Sequence, residues 1–196
     1  MKLNHLTLVL DSSTPVLFFA LAKDEQYLAS WHATLDRTQS EWMVPKLVSF
    51  LKEYGYQLQD LHHVIVGVGP GSFTGVRLAL TLAKMLAALN PIQVYPVSSL
   101  HLLAIAPFSL VSLDARGQRR YLGIYQGRDV LLADTIVSEL AFQELKKTYP
   151  NGLEITIETA LHEPKAIVTQ AIALATQSGA MQDYHQLKPM YLKDLL

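Results

Sequence analysis

The segment from Val64 to Leu89 constrains this chain more than any other. The apolar stretch Val64 to Val68 reads as a buried strand. The stretch Gly69-Pro70-Gly71-Ser72-Phe73-Thr74-Gly75 then turns the chain, and an apolar run of helical period follows to about Leu89. Asn90-Pro91 stops that helix, and Ile92 to Val97 is the next strand. Strand, helix and strand in this order imply a parallel pairing, which places the chain in the α/β class.

Upstream, Leu6 to Leu10, Val16 to Ala22 and Tyr27 to His32 read as three strands. The turns Asp11-Ser12-Ser13-Thr14-Pro15 and Lys23-Asp24-Glu25-Gln26 join them into an antiparallel meander. Thr38-x-x-Glu41 is a capping box that opens a helix running to about Tyr54, with Gly55 as its C-terminal cap. Pro45 lies too deep for the first turn and should kink or restart this helix. Ser98 can cap a short helix after the strand at Val97.

Beyond Phe108 the texture changes. Phe108 to Leu113, Arg120 to Gln126 and Val130 to Thr135 read as strands, and Glu139 to Lys147 as a short helix. Tyr149-Pro150-Asn151-Gly152 is a strong turn. A last helix runs from Pro164 to about Ser178. The division expected is an N-terminal lobe over 1–104, joined by the returning helix at about 164–179, a smaller lobe over 105–163, and a tail over 180–196.

Composition narrows the function classes. Sixteen basic against seventeen acidic residues give a net charge of −1, which excludes a broadly electropositive nucleic-acid binder. The absence of cysteine excludes a disulfide scaffold, thiol chemistry and Cys-ligated zinc, and suits a cytoplasmic setting. No run reaches the ~18 apolar residues of a membrane span, so no membrane contact is expected. Val16 to Ala22 ends in an A-x-A triplet, but the preceding polar turn does not suit a signal peptide.

Both long helices carry too much apolar surface. At about 100° per residue, Phe50, Met43, Tyr54, Leu47, Leu51, Val44 and Val48 of the first cover an arc of about 160°, with Trp42 apart on the polar side. The second spans about 220°, against the ~100° that one buried face needs. Either the C-terminal helix covers the excess or another chain does; left open, it would be a large apolar patch.

Four groups could carry chemistry. The Gly69–Gly75 turn is neither a Walker loop nor a dinucleotide fingerprint, since Val76 stands where the lysine belongs and the glycine triplets are broken. Its glycines, with Ser72 and Thr74, either form a tight strand-to-helix turn or offer N–H groups to an anion. Asp11, Ser12 and Ser13 are either turn formers or ligands to a metal-bound phosphate. Arg116, Arg119, Arg120 and Arg128, four of six arginines, are either a solvated hairpin or a contact for phosphate or RNA. None of the seven histidines is three or four residues from another, so no helical metal-ligand pair exists, and no Gly-x-Ser-x-Gly elbow occurs.

Gly69-Pro70-Gly71-Ser72-Phe73-Thr74-Gly75-Val76-Arg77 is similar to the signature of the bacterial TsaB (YeaZ) family. Leu10 to Thr14, Ser40-Glu41 with Pro45, Pro96 to Leu100, Asp114 to Arg116, Tyr121 and Pro189 to Leu192 extend the resemblance, strongly to about residue 126. It implies a two-lobed actin-like ATPase/sugar-kinase (ribonuclease H-like) fold, with mixed sheets flanked by helices. It implies a subunit without catalytic residues or metal ligands of its own, in the machinery that forms threonylcarbamoyladenosine next to the tRNA anticodon. The partners implied are a TsaD-like catalytic subunit, a TsaE-like ATPase and a second copy of the chain, with tRNA reached indirectly and ATP or ADP confined to the interface with the partner. The dimer would use both helices as a four-helix bundle, through Trp42, Met43, Lys46, Leu47 and Phe50 of the first and Arg77, Leu78, Thr81, Leu82 and Met85 of the second. The catalytic paralogue carries a His-x-x-x-His pair where Gln39 and Met43 stand here, and neither is a suitable ligand. Lys193 replaces the family's usual arginine near the end. Set against this are an autonomous ATPase or small-molecule kinase built on Asp11 and the Gly69–Gly75 turn, and a peptidase.

Overall fold

The structure, a computed structural model, describes residues 2–35 and 38–192. Lys193 lies outside the described residues. The meander forms as β1 (Leu6–Asp11), β2 (Val16–Lys23) and β3 (Gln26–Thr34). Helix α1 (Gln39–Glu53) leads to β4 (Leu61–Gly67), α2 (Phe73–Leu89), β5 (Gln93–Val97) and the short α3 (Ser99–Leu102). The five strands make one sheet in the order β3-β2-β1-β4-β5, antiparallel through the meander and parallel from β1 to β5.

A second, four-stranded sheet follows. It holds β6 (Phe108–Asp114), β7 (Arg119–Gln126), β8 (Asp129–Ser138) and, after α4 (Glu139–Thr148), β9 (Leu153–Ile155). Its order is β8-β7-β6-β9, with β9 parallel to β6. Helices α5 (Ile157–Leu161) and α6 (Pro164–Ser178) complete the set. Two mixed sheets flanked by helices are the architecture that the ribonuclease H-like reading implies. Three residues are too few to show a period, which is why β9 is silent in the sequence.

Alternation along the strands decides which helix covers which face. Leu6, Leu8, Leu10, Leu17, Phe19, Leu21, Val64 and Val66 point to α1 and α2. Val9, Phe18, Ala20, Ala22, Ile65, Tyr95 and Val97 point the other way, to α6. The first sheet is thus buried on both faces, and β1 has no exposed residue.

Two local expectations change and a third holds. Helix α1 does not restart at Pro45, whose exposed ring leaves one backbone bond unmade without ending the helix. Thr38 caps α1 through its backbone carbonyl, which accepts from Glu41 and Trp42, and its hydroxyl takes no part. At the other end Gly55 takes positive φ, with Tyr56 N–H on Leu51 O and Gly55 N–H on Lys52 O, a complete Schellman motif.

The excess apolar surface of α2 is covered in part by an element the sequence did not suggest. Helix α6 lies across the sheet from it. The segment after α6 instead runs from the β5 edge, where Met181 N–H bonds Val94 O, back over α2. Leu187 is buried in the α1–α2 core, and Met181, Tyr184 and Met190 pack on it. Lys84 Nζ donates to His185 O at 3.2 Å, and Met190 N–H bonds Val68 O at 2.7 Å. At its end Tyr191 stacks on Phe73 and receives a 2.8 Å bond from Arg77 Nε, whose guanidinium lies over the Phe73 ring.

Candidate functional site

The two turns that carry the anion-binding alternatives lie against each other. Ser72 N–H donates to Ser13 O at 2.5 Å, and Ser12 Oγ donates to Gly75 O at 2.7 Å. A methyl group at Gly71 would overlap Ser13 O, and one at Gly75 would overlap Ser12 O. Glycine is therefore needed for close backbone approach. Gly69 N–H is taken by Ser99 Oγ, and Gly75 N–H by Ser72 Oγ, the cap of α2.

Asp11 is buried beneath this junction. Its Oδ1 accepts from Ser13 N–H at 2.9 Å and Ser13 Oγ at 2.7 Å, and its Oδ2 accepts from Ser99 Oγ at 2.6 Å. Burial pushes its carboxyl above the usual range, against the pull of those bonds. A phosphate between the turns would have to displace the Ser13 carbonyl, so the residues present do not fit a nucleotide phosphate there. Asp11, Ser12, Ser13, Gly69, Gly71, Ser72 and Gly75 hold two turns together; Thr74 is exposed in the first turn of α2.

Gln39 and Met43 are likewise spent on structure. Gln39 Nε2 donates to Thr14 O at 2.9 Å, tying α1 to the first turn, and Met43 is buried in the core. Among the described residues no group of three or more His, Asp or Glu is placed to hold a metal ion. Nor is any helix long and apolar enough to cross a membrane.

The arginines do not form one patch. Arg116 and Arg119 stand at the β6–β7 turn, and Arg128 at the other end of β7, about 23 Å away at ~3.3 Å per residue. Arg120 is half-buried, its Nε on Glu139 at 2.6 Å, with Glu154 at 3.7 Å and its guanidinium over Phe142. A side chain held this way belongs to the second lobe's packing, so the single basic spot read from the sequence is not present.

The helix face divides in the same way. Met43, Leu47, Phe50 and Leu82, expected at the interface, turn inward instead and are buried in the chain's own core. Lys46 is half-buried over the Trp31 ring of β3. Arg77 is engaged by Tyr191. Left outside are Trp42 (54% exposed), Val44, Val48, Met85 (46%) and Leu89 (72%), with Leu78 half-buried and Thr81 exposed. Lys46 marks the flank of α1 toward β3. Val44 and Val48 lie on the opposite flank, the one toward α2, and together with Leu78, Met85 and Leu89 they make an apolar strip.

One polar cluster had no sequence signal, because its members are ordinary residues from distant segments. Ser98 Oγ donates to Asp134 Oδ2 at 2.5 Å, and Tyr125 Oη donates to Asp134 Oδ1. The His101 ring stacks on Tyr125 at 4.1 Å, and its Nε2 donates to Gly127 O at 3.2 Å, which also accepts from Gln170 Nε2 at 3.1 Å. The cluster joins β5 and α3 to the second sheet and α6. Burial raises the Asp134 carboxyl and the Tyr125 phenol.

Burial also holds His101 and His63 below the usual histidine range. The unfolded chain takes these protons near pH 6.5 while the folded chain does not, so both contributions are lost as pH falls from about 6.5 through the depressed folded values. Asp11 and Asp134 have raised values and act in the opposite sense, gaining stability as pH falls through them toward about 3.8. Substitution separates the two. His63→Gln should show a smaller drop in urea midpoint between pH 7.5 and 5.5 than the parent; an equal drop would contradict the assignment.

Comparison with known proteins places the chain. A family model described as TsaD, tRNA N6-adenosine threonylcarbamoyltransferase, matches residues 33–186. The chain is 35% identical over 138 residues to the tRNA threonylcarbamoyladenosine biosynthesis protein TsaB of Bacillus subtilis, covering 66% of this chain and 58% of that one. The match thus spans under two thirds of that relative's length. It is 27% identical over 163 residues to TsaB of Haemophilus influenzae, covering 73% of this chain and 69% of that one. The solved structure of YeaZ from Pseudomonas aeruginosa shares the fold, with a TM-score of 0.77 over 96% of this chain and all of that one, at 21% identity. The signature turn, the two-sheet fold and these matches agree, and the chain belongs to the TsaD family, within its glycoprotease-like TsaB/YeaZ group.

Proposed function

We propose that this chain is a non-catalytic subunit in tRNA threonylcarbamoyladenosine biosynthesis, docking on a TsaD-like catalytic subunit through the outer face of α1 and α2. The same face pairs two copies when that partner is absent. A TsaE-like ATPase joins the assembly, tRNA is reached through it, and the setting is the cytoplasm. The observation that carries the reading is the apolar strip of Val44, Val48, Leu78, Met85 and Leu89, on two helices whose inward faces are already filled. Trp42, 54% exposed and four residues before Lys46, stands on the other flank of α1 as a separate aromatic surface for the same partner. The biosynthetic role rests on the family and on the names of its relatives. The closed Asp11 and Gly69–Gly75 turns support the absence of an independent ATPase, and no nucleotide site of the chain's own belongs to this reading.

Substitutions that spare the core test it. Met85→Asp and Val48→Asp place a carboxylate on exposed positions, where the monomer tolerates it and an apolar partner does not. Each should weaken self-association at least about 100-fold by light scattering and sedimentation, and lower threonylcarbamoyl transfer in a reconstitution with the TsaD-like and TsaE-like subunits. Undiminished dimer mass, or equal product with this chain omitted, would overturn the proposal.

A further inference from the structure

A cleft of about 340 Å³ opens at the end of β5, between the β7–β8 turn and the last turns of α6. That volume is at the lower end of the ~300–1,000 Å³ typical of small-molecule sites. The cleft lies on the α6 side of the first sheet, away from the α1–α2 face, so its chemistry is independent of the docking reading.

Three observations define what it can hold. The first is His101, only 7% exposed, which lines the cleft. Its Nε2 faces the Gly127 carbonyl and therefore carries the ring hydrogen, so Nδ1 of the neutral ring is a lone-pair acceptor. Among the described residues that nitrogen has no partner, and it is open enough to meet an N–H or O–H donor brought by a ligand. The second is Arg128, an exposed guanidinium at the mouth with no carboxylate partner among the described residues. Its planar fork matches a carboxylate or phosphate through two parallel bonds. The third is the wall between them, which is apolar, formed by Val97, Val130 and Leu174. The stack on Tyr125 and the Tyr125–Asp134–Ser98 bonds fix the His101 ring, so the acceptor is preorganised.

We propose that this cleft binds a small organic acid that brings its own N–H donor and an apolar body. The acid group pairs with Arg128, the N–H donates to His101 Nδ1, and the body rests on Val97, Val130 and Leu174. Gln177, at the rim, can bond either polar end.

Indole-3-acetate has all three features and serves as the probe. Titrated into the full chain labelled with ¹⁵N, it should shift the His101 ring nitrogens and the Arg128 Nε–H saturably, with a Kd on the order of 1 mM or tighter. 1-Methylindole-3-acetate, which lacks the donor, and indole-3-acetamide, which lacks the charge, should each bind about tenfold more weakly. Arg128→Gln, on an exposed turn, should weaken indole-3-acetate about tenfold and leave the amide unchanged. The proposal is overturned by the absence of saturable shifts at the cleft up to about 10 mM, by equal binding of the N-methyl compound, or by an Arg128→Gln variant that binds the acid as the parent does.

Discussion

Gly75→Ala should lower the urea midpoint by about 1 M or more, a loss of about 2–4 kcal/mol. In most helices this exchange stabilises, because alanine is the better helix former. Here the added methyl would occupy the position of the Ser12 carbonyl oxygen. That oxygen cannot withdraw easily, since Ser12 Oγ is bonded to the carbonyl of Gly75 itself. The helix start or the first turn must move, and both feed the Asp11 cluster. Thr74→Ala, next door and exposed, should change stability by no more than about 0.5 kcal/mol. A Gly75→Ala chain with the parent's midpoint would mean that the two turns stand apart in solution, reopening the anion-binding alternative.

Asp11→Ala should be costlier still, at about 3–5 kcal/mol. It strips the acceptor from Ser13 N–H, Ser13 Oγ and Ser99 Oγ at once, and each buried donor left unpaired costs about 1–3 kcal/mol, not fully additively. Asp11→Asn keeps one acceptor oxygen and should lose less than half as much. The cost also carries a pH signature. Burial raises the Asp11 carboxyl, so the parent gains stability relative to the alanine variant as pH falls through that raised value. The difference between the two should therefore be larger near pH 4, just above the ordinary value of 3.8, than at pH 8. A loss under 1 kcal/mol, or a difference that shrinks toward acid, would sink the account of Asp11 as a structural anchor.

Where local chemistry dominates, the sequence reads well. The meander, both long helices, the stop at Asn90-Pro91, the Ser98 cap and the Gly55 terminus all follow from periodicity, turn residues and caps. The site is harder to read because its meaning lies in long-range pairing. Asp11 and the Gly69–Gly75 turn look the same in sequence whether they cradle a phosphate or each other, and only the Ser13–Gly71 approach distinguishes the two. The helix wheels report an apolar excess without saying what meets it. Met43, Leu47 and Phe50 fill the core, while Leu187 and Met190, with no period of their own, supply part of the cover. Arg120 reads as a surface cation because Glu139 and Glu154 are remote in sequence. The Ser98–His101–Tyr125–Asp134 cluster spans 36 positions and has no spacing to recognise.

The path of the segment after α6 sets an order on biosynthesis. The sheet that begins at Leu6 is complete at Val97, yet one face awaits α6 and the outer side of α2 awaits Leu187 to Tyr191. At ~5–20 residues per second, the ribosome needs on the order of 5–20 s to travel from Val97 to Tyr191. A front lobe that folds as it emerges would display Phe18, Ile65, Tyr95 and Val97 uncovered during that interval, the kind of transient apolar surface that favours aggregation.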